Sequence, residues 1–227
     1  MKPVTVRMSL LCAVLLLGAC QASDPYSSAG FVDLPAAPDV QTDVRYFTTD
    51  NFVGEAINGY EASLIYLTRE AREALQGVIL DAKVFGLGIK VFDAYRPQQA
   101  VDHFVAWAED LADTRMKAHY YPNVKKANLF RDGYIAARSG HSRGSTLDLT
   151  LFDLASGREL DMGTPWDFFD LTSWGESDAV SVQQRANRAL LRALMTKHGF
   201  MPLREEWWHF TLENEPYPDT YFNFLVR

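Results

Sequence analysis

The chain is poor in cysteine. Only Cys12 and Cys20 occur among its 227 residues, and Cys12 lies in an apolar N-terminal run that has the pattern of a removable signal. The body that follows has no thiol, which excludes a disulfide, a cysteine nucleophile and a thiolate metal ligand there. Any metal in that body must be held by His and carboxylate side chains.

Clusters of Lys and Arg are also missing, and the formal net charge is −7. Nucleic-acid binding depends on cations placed at phosphates, so nucleic acid is excluded as the expected partner. The His-Glu-x-x-His helix signature of many zinc proteases is absent as well. What is present is a hydrophobic content of 48% in a chain of single-domain length, which predicts one packed domain.

The N-terminus has the pattern of an export signal. Lys2 and Arg7 precede an apolar run over 8–17 that is too short to span a bilayer. The run ends in Leu-Gly-Ala-Cys at 17–20, which resembles the signal of bacterial lipoproteins, in which the Cys is acylated. The alternative is a plain secretory signal with an incidental Cys.

These features predict three segments. Residues 1–19 are the expected signal peptide, 20–40 an Ala-, Ser- and Pro-rich tether, and 41–227 the folded domain. The expected location is the bacterial cell envelope, with the chain anchored through lipid on Cys20, facing the periplasm and attached to the outer membrane.

Apolar spacing predicts helices separated by short strands. Thr68 is expected to cap a helix that ends near Phe85, and Pro97 to precede a second helix over about 98–112. A capping box at Ser181 and Gln184 predicts a third helix that ends near 198. With short alternating strands between them, the expected fold class is α+β: a single domain with a small antiparallel sheet packed by helices.

One stretch, residues 139–148, combines a His with an acid. His141 lies on an expected turn, and Asp148 lies on the polar face of an alternating run over 145–152 that predicts a half-buried strand. Seven extended residues would span roughly 23 Å, so both can bind one ion only if Gly144 turns the chain back. The alternative is an ordinary loop His and a surface Asp.

A second stretch, Glu206-Trp-Trp-His209, supplies the complementary groups. A catalytic zinc site needs three protein ligands, an open position and a carboxylate near the attacking water. His141, Asp148 and His209 are the candidate ligands, and Glu206 is the candidate base. Residues three apart on a strand face opposite ways, so Glu206 is expected in a bend before the strand that carries His209.

Together these motifs resemble a known family. Ser139-x-His141-x-x-Gly144-x-x-x-Asp148, Glu206-Trp-Trp-His209 and Asp-Ala-Tyr-Arg-Pro at 93–97 are similar to the zinc D-alanyl-D-alanine dipeptidases of the VanX type. That family belongs to a wider group with D-Ala-D-Ala carboxypeptidases and phage wall endopeptidases. The similarity runs from about residue 46 onwards.

The resemblance implies a role for each matching residue. It implies one Zn²⁺ bound by His141, Asp148 and His209, with Glu206 as the catalytic base. It also implies that Arg96 stabilises the oxyanion and that Asp167 binds the substrate ammonium. Ser139 would line the substrate pocket, and Asp93 would lie beside Arg96. It also implies a zinc site in a cleft of the sheet and a small dipeptide as the partner molecule.

The implied reaction is hydrolysis of D-alanyl-D-alanine to two D-alanines. Two departures accompany it: Thr146 stands where the group usually has Ala, and the lipoprotein signal contrasts with the cytoplasmic site of glycopeptide-resistance dipeptidases. Two other functions remain open from the sequence. One is a zinc D,D-carboxypeptidase or endopeptidase that acts on the wall, and the other is a wall-binding lipoprotein without catalysis.

Overall fold

The computed structural model describes residues 24–227. The predicted signal peptide over 1–19 and the predicted acylation site Cys20 lie outside these residues. No helix within 24–227 is both long enough and apolar enough to cross a bilayer.

A five-stranded sheet forms the centre of the domain. Its strands are β2 (Val40–Thr42), β4 (Leu87–Asp93), β5 (Thr146–Asp153), β6 (Phe200–Pro202) and β7 (His209–Leu212). They lie side by side in the order β2-β4-β5-β7-β6. The pairs among β4, β5, β7 and β6 are antiparallel, as predicted, whereas β2 joins the edge of β4 in parallel. The predicted α+β fold with a small, mainly antiparallel sheet is confirmed.

Within residues 24–227 four helices accompany the sheet: α1 (Arg69–Val84), α2 (Gln98–Glu109), α3 (Lys117–Tyr120) and α4 (Val182–Lys197). Helices α1 and α4 contact each other, and α1 packs against β4 while α4 packs against β6. The apolar stripe of α1 is fully buried against this layer: Ala71, Leu75, Val78, Ile79 and Ala82.

The predicted helix caps are present. The Thr68 hydroxyl accepts from the Ala71 amide, and Ser181 and Gln184 form the reciprocal capping box of α4. The second helix ends at Glu109 and is shorter than the predicted 98–112, because Asp110 leaves helical geometry. Leu111, inside the predicted range, is 56% exposed. Its apolar side chain extends the hydrophobic periodicity without contributing to the core.

The folded region begins earlier than the predicted boundary at residue 41. Strand β1 (Phe31–Asp33) pairs antiparallel with β3 (Tyr66–Thr68). The Phe31 ring lies 5.1 Å from Tyr95 and 4.9 Å from both Phe222 and Phe224, measured between centroids. A linker-like composition hid this aromatic contact, so the second half of the predicted 20–40 tether belongs to the domain.

Strand β5 is buried on both faces, not half-buried as its alternating pattern predicted. Its leucines belong to the hydrophobic core, while Thr146, Asp148 and Thr150 are no more than 1% exposed. The 3-10 turn Gly140–Arg143 contacts the strand, and the Trp166 indole Nε1 donates to Asp148 Oδ2 at 3.2 Å. The polar face of β5 is therefore the floor of an enclosed site.

Candidate active site

Three chain segments bring the predicted metal ligands together. His141 lies on the 3-10 turn, Asp148 on β5, and His209 at the first position of β7, directly opposite Asp148 in the sheet register. Asp148 Oδ1 lies 3.3 Å from His141 Nε2 and 3.2 Å from His209 Nδ1. The two imidazole nitrogens are 3.3 Å apart. The ligand atoms thus converge on one point.

The predicted reversal at Gly144 is what allows this convergence. Gly144 has φ +84°, in the left-handed region, and is the residue that ends the 3-10 turn. A Cβ at this position would also overlap the ring of Phe31. Both the backbone angle and the packing therefore require glycine here.

The donor chemistry fits a divalent metal. His141 Nδ1 donates to the Ala94 carbonyl at 2.7 Å, which fixes the ring and leaves the Nε2 lone pair toward Asp148. Asp148 Oδ1 is buried and has no hydrogen-bond donor in the described part of the chain. An acceptor without a donor beside two imidazole nitrogens suits a cation with His and carboxylate ligands, the usual set for catalytic zinc.

The pKa values of Asp148 and His209 also indicate that this cluster favours a bound positive charge. Burial would raise the pKa of Asp148, but His141 and His209 hold it below its ordinary value. Burial would lower the pKa of His209, yet the carboxylates of Asp148 and Glu206 close to its Nδ1 raise that pKa to about 9. A cation that takes the His209 lone pair displaces this proton, so its affinity falls as the pH falls.

Glu206 lies in the bend between β6 and β7, as its spacing from His209 predicted. Its Oε2 is 3.3 Å from His209 Nδ1, and its side chain is 16% exposed. The neighbouring tryptophans fix the bend: the Trp207 amide donates to the Ser173 carbonyl, and the Trp208 carbonyl accepts from the Leu149 amide. A carboxylate on a hydrogen-bonded bend therefore stands beside the ligand cluster.

Arg96 is held inside the site and is not an ordinary surface residue. Its Nη2 lies 2.8 Å from Asp93 Oδ2 and 3.7 Å from Asp148 Oδ2, and its side chain is 12% exposed. Asp93 also accepts from the Tyr60 hydroxyl at 2.6 Å. Tyr60 was missed by sequence reasoning, since nothing separates it from the other aromatic residues of 46–66.

Asp167 is the one non-glycine residue in 24–227 with a positive φ, at +59°. Its carboxylate is buried and accepts from the Tyr46 hydroxyl at 2.7 Å. Burial, followed by the nearby charge of Asp148, raises the pKa of Asp167 well above its usual value. A strained backbone that supports a buried acid is typical of a binding position. Tyr46, like Tyr60, carries no signal of its own in the sequence.

A cleft of about 260 Å³ unites most of the predicted residues. Those that line it are Arg96, Ser139, His141, Asp148, Asp167, Glu206 and His209. Ser139 has a second task, because its Oγ accepts from the His141 amide at the start of the 3-10 turn. Asp93 lies behind Arg96 and does not line the cleft.

Similarity to known proteins agrees with this geometry. The peptidase M15 family model, described as D-ala-D-ala dipeptidase, matches residues 27–227. The chain belongs to this family. The predicted resemblance to the D-Ala-D-Ala dipeptidases is confirmed, and with it the assignment of the chain as a metallopeptidase.

Several relatives of this family align with most of the chain. D-alanyl-D-alanine dipeptidases of Enterococcus faecalis and Streptomyces coelicolor are each 44% identical to it, over 82% of this chain and 93% of theirs. That of Escherichia coli is 34% identical, over 77% and 80%. A solved structure, a mutant of the vancomycin resistance D,D-pentapeptidase VanY in complex with Zn(II), has a TM-score of 0.41 and 15% identity, covering 70% of this chain and 78% of that one.

Proposed function

We propose that this M15 family chain hydrolyses D-alanyl-D-alanine to two molecules of D-alanine with Zn²⁺ as cofactor, in cell-wall peptide metabolism. The observation that carries the proposal is the convergence of His141, Asp148 and His209 beside Glu206 in one cleft. Relatives that bear the name of this activity, at 44% identity over most of the chain, support the choice of substrate.

His141 Nε2, Asp148 Oδ1 and His209 Nδ1 would hold the zinc, since these atoms already face one another. When bound, zinc acidifies water and polarises a peptide carbonyl. The Trp166 indole and the Ala94 carbonyl orient two of the three ligands through hydrogen bonds. Such supporting contacts fix the ligand atoms and so preserve the geometry during turnover.

Glu206 acts as the general base and then as the acid. Its carboxylate takes a proton from the attacking water and delivers it to the amine that leaves. The position of Glu206 at the cleft wall, 3.3 Å from His209, suits this shuttle. Arg96 donates to the carbonyl oxygen as negative charge develops there, and Asp93 holds its guanidinium in place through two contacts of 2.8 and 2.9 Å.

Asp167 receives the substrate ammonium. Its carboxylate is buried beside other acids, which raises its pKa, and a bound ammonium would supply the opposing charge. An N-acylated peptide lacks that charge and would leave the acid unpaired. Asp167 therefore favours a free dipeptide over a wall peptide, which separates a dipeptidase from a carboxypeptidase.

The test compares free D-Ala-D-Ala with N-acetyl-D-Ala-D-Ala, each with and without a chelator. We expect the free dipeptide to be preferred and the chelator to abolish turnover. Glu206→Gln should retain zinc, measured by metal analysis, while kcat falls by at least about 100-fold because the proton shuttle is lost. Preference for the blocked peptide, or normal kcat in Glu206→Gln, would overturn the substrate or the base assignment respectively.

We also propose that the chain is a lipoprotein of the bacterial envelope, with its domain in the periplasm. The support is the Leu-Gly-Ala-Cys sequence at 17–20 after a short apolar run. Fractionation of cells that express the full chain should place it with membranes, and Cys20→Ser should release it. Wild-type protein found only in the soluble fraction would contradict the proposal.

A further inference from the structure

The active cleft is lined by more acidic than basic side chains, although a free dipeptide has one positive and one negative end. A free dipeptide carries an ammonium and a carboxylate about two residues apart, which is roughly 7 Å in an extended chain. Both ends must therefore find partners within the same 260 Å³ cleft. Three acids line it, namely Asp148, Asp167 and Glu206, and each repels a substrate carboxylate.

Two arginines, Arg96 and Arg138, are also among the residues that line the cleft. Arg96 is already engaged, because it contacts Asp93 at 2.8 Å and Asp148 at 3.7 Å and is largely buried. Arg138 contacts no carboxylate within 4.0 Å anywhere in residues 24–227, and its side chain is exposed at the rim. The charge of Arg138 is therefore available to a ligand.

Arg138 is held near the cleft by its surroundings. Its guanidinium lies over the ring of Tyr221, 4.9 Å from the centroid. Arg143 lies near the same ring, at 5.9 Å, but pairs with Glu215 at 2.8 Å. The chain then passes from Arg138 directly into Ser139, which caps the turn that carries His141. The Tyr221 ring and the capped turn thus hold Arg138 next to the cleft, with no carboxylate paired to its guanidinium in residues 24–227.

We propose that Arg138 binds the C-terminal carboxylate of the substrate and so makes this enzyme selective for peptides with a free C-terminus. The inference rests on the proposed dipeptide hydrolysis and extends it to the second end of the substrate. Asp167 and Arg138 then bind the two opposite charges, with the peptide bond between them at the ligand cluster. A guanidinium suits this role because it can pair with a carboxylate through two parallel hydrogen bonds.

The test measures steady-state kinetics on D-Ala-D-Ala and on D-alanyl-D-alaninamide, whose C-terminus is neutral. Arg138→Gln should raise KM for the free acid by about tenfold, the effect of one lost charged hydrogen bond at an exposed site, with little change in kcat. KM for the amide should stay within about twofold of wild type, since no carboxylate is present. Arg138→Lys should recover part of the affinity for the acid.

The matched control is Arg131→Gln, which removes the same charge from an exposed residue outside the cleft. Arg131 pairs with Asp132 and lines a neighbouring cavity, not the active cleft. It should leave KM for both substrates unchanged. Equal losses on acid and amide in Arg138→Gln, no loss on either, or the same loss in Arg131→Gln would overturn the role of Arg138.

Failure of the proposed function gives a different result, because wild-type protein would then not hydrolyse D-Ala-D-Ala. Arg138 is still tested in that case by calorimetric binding of the acid and the amide to the zinc-loaded protein with Glu206→Gln, in which turnover is blocked. A preference of at least about tenfold for the acid that disappears on addition of Arg138→Gln supports the role. Equal binding of acid and amide refutes it.

Discussion

At the scale of single residues, two acids of the site have conformations or burial that cost folding free energy. Asp167 combines a left-handed backbone with a buried carboxylate, and Asp148 Oδ1 is buried without a donor in the described residues. Ligands relieve both: an ammonium pairs with Asp167, and a cation pairs with Asp148. The residues are therefore arranged for binding, at a cost to the stability of the free protein.

Asp167→Asn should separate the contribution of Asp167 to substrate binding from its cost to the stability of the free protein. Asn tolerates a positive φ and can still accept from the Tyr46 hydroxyl, but it carries no charge to desolvate. We expect the metal-free variant to be more stable than the wild type at pH 7. Activity on D-Ala-D-Ala should fall roughly 10- to 100-fold, because the ammonium loses its charged partner.

The pH dependence of this gain follows from the raised pKa of Asp167. Below about pH 4 the carboxyl is protonated in both folded and unfolded protein, so the variant gains little. As the pH rises past that value, the unfolded state releases the proton first, and the wild type loses stability relative to Asp167→Asn. Denaturant unfolding from pH 3.5 to 8 measures the difference. A gain that shrinks as the pH rises would contradict the assignment.

At the scale of elements, the turn between the 3-10 helix and β5 determines whether the ligands meet. Gly144 has φ +84° and lies in direct contact with Phe31 of β1. The β1–β3 pair therefore packs against the 3-10 turn that carries His141. The Thr68 amide also donates to the Gly144 carbonyl at 2.8 Å. The segment that composition assigned to a tether thus supports the active site.

Gly144→Ala tests this coupling against Gly157→Ala. Gly157 has φ +71° but no atom within 4 Å of an added Cβ, so alanine there should cost only about 1–2 kcal/mol of backbone strain. Alanine at Gly144 should cost about 1–3 kcal/mol more through overpacking against Phe31, and should weaken zinc binding by displacing His141. Urea unfolding and competitive zinc titration provide the two measurements. Equal losses in the two variants would show that the Phe31 contact is unimportant.

At the scale of the whole molecule, the metal ties together parts of the chain that are distant in sequence. His141 and His209 are 68 residues apart and lie on separate elements. A cation held by both, and by Asp148 on β5, binds the folded state and stabilises it by mass action.

Zinc removal should therefore lower the melting temperature. With free zinc at about 100 times its Kd, the linkage is worth about 2.7 kcal/mol, which corresponds to about 5–10 °C for a domain of this size. Calorimetry with and without a chelator measures the shift. His209→Ala should melt at the same temperature in both conditions, and an equal chelator effect in that variant would place the stabilising metal elsewhere.

The sequence by itself determined much of the local structure. Thr68 and the Ser181 box predicted helix starts, and the spacing of Glu206 and His209 predicted a bend, because caps and side-chain alternation depend on neighbouring residues. The ligand residue types followed from the absence of cysteine. Composition was misleading at 20–40, where Phe31, Leu34 and Val40 pack into the domain. Apolar spacing was misleading at Leu111, which stays exposed.

Only the tertiary structure decided which residues meet. It buried the polar face of β5 and placed β2 parallel to β4. It also enclosed Asp93, which contacts both Arg96 and the Tyr60 hydroxyl. It also brought Tyr46 to Asp167, 121 residues away, and left Arg138 without a carboxylate partner in the described chain. These outcomes depend on long-range packing and on the competition of charges for partners, neither of which leaves a periodic pattern in the sequence.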